Sequence, residues 1–351
     1  VEGKKVFIGA VQEPFARSES DRLIHQVYRG FRQRGWRADI FGLPFRWYFR
    51  RRMLGQIIAW RLLDFTDESP GEGERIDRVL VTRFPSYVVQ HPCKIVWFFH
   101  HQQELYERFQ SFGHLTEESA EAGRLRELLV QIDTRSLKEA KKVFAATAAV
   151  AQKLRMYNGV ESEVLYPVPP LKDKLKRSRS GDYLLTVGRI EPAARLELLL
   201  EALARTRSPI KCIVAGEGPH LVFLKNMAAE LGITDRVRFA GTVSDQELIS
   251  LYAECFAVAA LSGEEPSGFR ILEAMFAGKP VLTIARTEEG HELIDHNESG
   301  ILSLPRPDAI AGDLQELYDD RIKSHQLGDA GYERVKKYSW DFVMDKLTAV
   351  Y

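Results

Sequence analysis

Short apolar runs alternate with amphipathic ones along this chain. Residues 5–10 (KVFIGA) are apolar and β-branched, and residues 22–34 return apolar side chains at helical spacing, which predicts a strand followed by a helix. Gly35 stands where a helix-terminating glycine is expected, and residues 38–42 (ADIFG) resume a strand, so a βαβ unit closes and a parallel sheet follows. Further buried strands are predicted at 79–82 (VLVT), 95–99 (IVWFF) and 143–146 (VFAA), each beside a helical pattern. The texture changes over 167–181 (PVPPLKDKLKRSRSG), where prolines and basic residues leave little to pack in a core. Beyond it the same grammar restarts, with strands at 183–187 (YLLTV), 211–215 (KCIVA), 237–240, 257–261 and 281–283, and helices at 196–205 and 220–231.

The predicted architecture is α/β, with two Rossmann-like, doubly wound parallel-sheet domains facing a cleft and ligands at the carboxyl ends of the strands. The expected division is a first domain over 1–167, a linker over 168–181, a second domain over 182–335 and a closing helix over 336–351. That last helix would carry Trp340, Phe342, Val343 and Leu347 on its apolar side.

Composition then removes some classes of function. The 351 residues hold 49 Lys and Arg against 49 Asp and Glu, so zero net charge gives no global electrostatic case for nucleic acid. The zero is a cancellation, since residues 1–65 carry +7 and the remainder −7. Cys93, Cys212 and Cys255 are far apart and lack metal-ligand spacing, so they read as reduced core residues. No apolar stretch reaches the roughly 20 residues of a spanning helix, and the charged start is unlike a signal peptide, so the expected location is the cytoplasm.

Candidate chemistry concentrates in residues 262–282, SGEEPSGFRILEAMFAGKPVL, which leave one strand, open a helix and enter another strand. Gly268 permits close backbone approach, and the N–H groups of Phe269 and Arg270 at the helix start suit an anion such as a diphosphate. A carboxylate would repel that diphosphate. Glu265 in the loop and Glu273 on the helix are better suited to accepting hydrogen bonds from sugar and ribose hydroxyls. The competing reading is a structural helix, with Leu272, Met275 and Phe276 in the core and the glutamates solvated.

The segment resembles the E-x7-E motif of retaining nucleotide-sugar glycosyltransferases of family 4, which have the GT-B fold. The resemblance extends through VGRIEPAARLELLLEAL, VAGEGP and VRFAGTVSDQELISLYAEC, and through LPFRWY, TRFPSYVVQHP and IVWFFHHQQELYE in the first half. It implies a metal-independent transferase with no cofactor beyond the nucleoside-diphosphate sugar as co-substrate, and a glycan, lipid-linked or small-molecule acceptor. Arg189, with its fixed fork of donors, would contact the diphosphate, assisted by Arg195. The backbone of Thr242, Val243 and Ser244 would meet the base, the helix start from Gly268 through Phe269, Arg270 and Ile271 the phosphates, Glu273 the ribose and Glu265 the transferred sugar. His100 matches a cleft-edge histidine of the first domain, His101 being the weaker candidate, and the terminal helix would cross back to that domain. No Asp-x-Asp pair follows a strand, which agrees with metal independence.

Three positions depart from the family pattern. Ala194 stands where a lysine is common, the loop of Arg17, Ser18 and Glu19 replaces Gly-Gly on the acceptor side, and Thr287 to Gly290 (TEEG) replaces a glycine-rich turn. They keep open a second reading, a GT-B-shaped nucleotide- or partner-binding protein without efficient transfer. A nicotinamide-dependent dehydrogenase lacks support, because neither Gly9 nor Gly188 opens a G-x-G-x-x-G turn. Arg46, Trp47, Arg50, Arg51 and Arg52 suit peripheral contact with an anionic membrane, the alternative being a helix with a core stripe of Leu54, Ile57, Ile58 and Leu62.

Overall fold

The computed structural model describes residues 3–12, 19–45, 53–63, 65, 75–106, 117–178, 181–262, 268–285 and 292–350; within these, the side chains of residues 19–20, 103–104 and 117–120 are left aside. The chain divides into two compact units, one of Val1–Pro167 with Trp340–Tyr351, the other of Val168–Ser339.

The first unit opens with β1 (Lys5–Gln12), α1 (Glu19–Gln33), β2 (Arg37–Pro44), α2 (Met53–Arg61), β3 (Arg78–Val81) and β4 (Lys94–Phe98). It continues through α3 (Gln103–Tyr106), α4 (Glu117–Lys138), β5 (Lys142–Ala145), α5 (Ala148–Asn158) and the short β6 (Glu163–Val164). Its described strands form one parallel sheet in the order β2-β1-β3-β4-β5-β6. Helices cover both faces of such a sheet, which is why its central strands are mostly apolar; all five residues of β4, KIVWF, are buried, Lys94 included. On α2 the buried positions are Met53, Ile57 and Trp60, whereas Ile58 is 54% exposed and Leu62, just after the helix, 76%. The alternative core stripe is therefore rotated: Trp60 packs its ring 5.5 Å from Phe41, and of Leu54, Ile57, Ile58 and Leu62 two face solvent.

The second unit contains β7 (Tyr183–Val187), α6 (Leu196–Arg205), β8 (Lys211–Ala215), α7 (Leu221–Glu230), β9 (Val237–Gly241), α8 (Asp245–Glu254) and β10 (Cys255–Ala260). After them come α9 (Phe269–Phe276), β11 (Val281–Ile284), β12 (Ile301–Ser303), α10 (Pro307–Asp319) and α11 (Arg321–Val335). These strands are also parallel, in the order β12-β11-β10-β7-β8-β9. The stretch expected as a linker is partly packed, since Val168 and Leu171 are buried and both count with this unit.

The last helix, α12 (Trp340–Thr348), belongs to the first unit. Its buried side chains are Val343, Met344 and Leu347, while Phe342, expected inward, is 51% exposed. A helix end leaves carbonyls without intrahelical donors, and here buried Arg78 of β3 supplies them, donating to the carbonyls of Leu347 (2.6 Å) and Val350. Arg34, just after α1, donates to the carboxylates of Asp341 (2.9 Å) and Asp345 (3.1 Å) at the same helix.

Two buried lysines do comparable work in the two sheets. Lys94 donates to the carbonyls of Tyr87, Val89 and Ser136, and burial pushes its pKa down to about 8. Lys279, from the Ala-Gly-Lys-Pro stretch after α9, donates to Ser178 (2.7 Å), Ala253 (2.7 Å) and Cys255 (2.8 Å). Lys279→Met removes the donor from three carbonyls at once and is expected to lower unfolding free energy by at least ~3 kcal/mol, readable in urea titrations.

Candidate active site

The carboxyl ends of β7, β8 and β9 are laced together through the turns that follow them. Gly188 N–H donates to Ala215 carbonyl (2.9 Å), Ile190 N–H to Glu217 carbonyl (2.9 Å), and Gly216 N–H to Gly241 carbonyl (2.8 Å). Gly216 has φ 148°, and a Cβ there would lie 1.9 Å from the carbonyl oxygen of Gly188, so these turns can stack only without a side chain at that position. The VGRI and AGEG stretches thus place Gly188, Arg189 and Ile190 on a rigid rim.

Onto this rim comes the start of α9. Gly268 lies just before it with φ 60°, and the first turn carries Arg270 and no acidic residue. The Arg270 guanidinium rests on Gly188, where a Cβ would be 2.3 Å from its Cζ. A small hollow is lined by Gly188, Arg189, Ala194, Ser262 and Arg270, among others. Phe269 and Ile271 bury their side chains, so what they offer a ligand is backbone. Arg189 is 72% exposed and its Nε donates to Glu191 Oε1 (2.6 Å). Arg195 is exposed, in left-handed backbone (φ 53°, ψ 36°) at the start of α6, and is not among the residues lining the hollow.

Glu273, half-buried on the following turn of α9, accepts a hydrogen bond from the hydroxyl of fully buried Tyr252 of α8 (2.9 Å). Tyr252 thereby orients a carboxylate without neutralising it. Ser244 is spent locally: its hydroxyl caps α8 by accepting from Glu247 N–H (3.2 Å), and its own N–H donates to Glu247 Oε2 (2.8 Å). The N–H and the hydroxyl of Ser244, both donating to Glu247 Oε2, hold that carboxyl below its usual range. Thr242 N–H points to Glu217 Oε1 (3.4 Å), and Val243 is half-buried between the two.

In the first unit, half-buried His100 follows β4 with its Nδ1 3.1 Å from the carbonyl of His101. His101 is the buried one, its Nε2 paired with Asn158 Oδ1 (2.7 Å). Asn158 Nδ2 donates to the hydroxyls of Tyr106 (3.0 Å) and Thr134 (2.8 Å), and Tyr106 and Tyr87 both donate to Asp133. Burial pushes the Asp133 carboxyl up to about 6, against the opposing effect of those hydroxyls. A carboxyl with a raised folded-state pKa contributes stability that is full below about pH 4 and is lost as pH rises through 6. Asp133→Asn is therefore expected to flatten the fall in melting temperature between about pH 4 and pH 6, measured by calorimetry beside the parent chain.

Glu265, Arg17, Ser18, the stretch from Thr287 to Gly290 and the basic run of Arg46, Trp47, Arg50, Arg51 and Arg52 lie outside the described residues. Glu19 is the first residue of α1.

Comparison with known proteins bears on the second unit most strongly. Residues 169–334 match the family of glycosyl transferases group 1. An uncharacterized glycosyltransferase of Methanocaldococcus jannaschii is 31% identical over 172 residues, 48% of this chain and 44% of that protein. The GDP-mannose-dependent alpha-(1-6)-phosphatidylinositol monomannoside mannosyltransferase of Mycobacterium tuberculosis is 30% identical over 204 residues, 54% of this chain and 53% of its own length. The chain thus spans about half the length of these relatives. Among solved structures, Anabaena HepE in complex with UDP and glucose aligns over 98% of both chains with a TM-score of 0.70 and 16% identity. Sucrose-phosphate synthase of Thermosynechococcus elongatus aligns over 98% of this chain and 97% of its own, with a TM-score of 0.74 and 17% identity. These alignments establish the GT-B fold.

Gly188, Arg189, Ala194, Tyr252, Arg270 and Glu273 all fall inside the group 1 segment. Two features of its site escape a reading of the sequence: the Tyr252 hydroxyl on Glu273, and the side chain, beyond the backbone, of Arg270. The first joins residues on different helices with no local spacing to reveal it. A cation in the first turn of a helix is the one sequence signal for the second, since the macrodipole disfavours it there.

Proposed function

We propose that the chain is a retaining, metal-independent glycosyltransferase that moves a sugar from a nucleoside-diphosphate sugar to an acceptor hydroxyl. The carrying observation is the meeting, within the group 1 segment, of the Gly188 turn, two arginines and the start of α9 around one hollow, with the Tyr252-bound Glu273 on the same helix. Cationic forks and a helix start suit a diphosphate, and an oriented carboxylate suits ribose hydroxyls. In this reading Arg189 and the α9 N–H groups stabilise charge on the leaving diphosphate, and Glu265 holds the transferred sugar.

The acceptor class that best suits the chain is lipid-linked. The Mycobacterium tuberculosis relative is by name a phosphatidylinositol mannoside mannosyltransferase, and residues 1–65 here carry +7. No helix among the described residues is long and apolar enough to cross a membrane. The proposed contact is peripheral, at a cytoplasmic membrane face, through Arg46, Trp47, Arg50, Arg51 and Arg52, with exposed Ile58 of α2 and Leu62 just after that helix able to join it. Salt-dependent sedimentation with anionic vesicles is expected; its absence rejects the contact.

Mass spectrometry of mixtures with UDP-, GDP- and ADP-sugars tests the main proposal. Release of nucleoside diphosphate from at least one donor is expected. Tight binding with no hydrolysis or transfer across a range of acceptors would leave the binding-protein reading in its place.

A further inference from the structure

The cations near the β7 rim are not equivalent. Arg189 is 72% exposed and tied to its neighbour Glu191, and Arg195 is exposed on the next turn. Arg270 is half-buried and reaches from the first turn of α9 across to the next sheet connection, where its guanidinium lies on bare backbone. A Cβ at Gly188 would sit 2.3 Å from Cζ, 2.5 Å from Nε and 2.5 Å from Nη2, so the glycine at that position makes the room the guanidinium fills. Ala194, in the short helical turn Pro192–Ala194, lines the same hollow with only a methyl group, and Ser262 adds a hydroxyl-bearing residue at the end of β10.

Electrostatics sets this placement apart. The amino end of a helix carries partial positive charge, and an arginine in the first turn adds a full one, against the usual preference for acidic residues there. Arg270 of that first turn and Arg189, itself paired with Glu191, line one hollow with room for about a single water, so an anion with several oxygens would lie at its mouth. A guanidinium already packed in place also loses less freedom on binding than an exposed one.

We propose that the Arg270 side chain is the anchored cation for the phosphate groups of a nucleoside diphosphate, with Arg189 the exposed one, and that position 188 is a glycine so that the guanidinium can lie on it. This rests on the donor-site reading above and adds to it a side chain that the sequence motif credits only through its N–H. Arg270 is a binding residue in this scheme, and its charge serves substrate and leaving diphosphate alike.

Calorimetry on the full chain separates the possibilities, using whichever of UDP, GDP and ADP the parent protein binds, and its parent nucleoside. Arg270→Gln is expected to weaken the diphosphate ten-fold or more while leaving nucleoside affinity unchanged, and Arg270→Lys, which keeps a charge, to fall between. Should Arg270→Gln fail to fold, the Arg270→Lys titration against the parent decides alone. Unchanged diphosphate affinity, or equal loss for diphosphate and nucleoside, would overturn the assignment. A parent chain that binds none of the three diphosphates would instead overturn the donor-site reading itself.

Discussion

Turnover by Arg189→Ala is expected to fall at least about a hundred-fold with the fold intact, the scale seen when one preorganised donor to a developing charge is removed. Both halves of that expectation come from where the residue sits. Its side chain is 72% exposed and its contact with Glu191 is a surface pair, worth ~0–1 kcal/mol, so the melting temperature should move little. Its backbone stands on the Gly188 rim beside the hollow, where a diphosphate would recruit the terminal nitrogens left by the Nε bond to Glu191. Loss of activity without loss of stability, measured by initial rates beside thermal unfolding, separates a ligand contact from a structural one. Parent-like turnover in this variant would remove Arg189 from the mechanism.

The second large effect is expected at Glu273. Glu273→Gln keeps size and shape but removes the charge, and charged acceptors bind hydroxyl donors roughly twice as strongly as neutral ones, so nucleotide affinity should drop about ten-fold. The Tyr252 hydroxyl bond gives this prediction a sharper form. If the carboxylate accepts from ribose hydroxyls, the parent chain distinguishes a ribonucleotide from its 2′,3′-dideoxy analogue, and Glu273→Gln largely loses that distinction. Tyr252→Phe frees the carboxylate to turn, and should weaken the ribonucleotide several-fold while sparing the dideoxy analogue. A variant that loses both ligands equally would place Glu273 in the helix framework alone, as the structural reading of the motif has it.

The parts of the fold that could be read from sequence are those where local pattern and tertiary burial agree. Residues 183–187, 196–205 and 211–215 coincide with β7, α6 and β8 at both ends, because each apolar run is bounded by charge, glycine or proline. Strands β6 and β12 are two and three residues long, too short to carry a period of their own. On α2, Met53, Ile57 and Trp60 recur at helical spacing, as do Leu54 and Ile58, and only the ring cluster about Phe41 decides which set turns inward. At the candidate site, motif reading marks Arg189, Glu273 and the start of α9, and the structure puts Arg189 and that helix start at one hollow. Ser244 is different: the capping box accounts for both its N–H and its hydroxyl. The buried network of Asp133, Tyr87, Tyr106, Asn158 and His101 has no signature in sequence, being polar residues gathered from three helices, α3, α4 and α5, and from the segments before and after β4.

The central claim is that the carboxyl-end rim of the second sheet binds a nucleoside diphosphate. A crystal structure of the chain with UDP, GDP or ADP tests it most directly. The expected result is a diphosphate against Arg189, Arg270 and the first N–H groups of α9, with the ribose hydroxyls at Glu273. A nucleotide bound anywhere else on the second unit, or on the first unit, would contradict it.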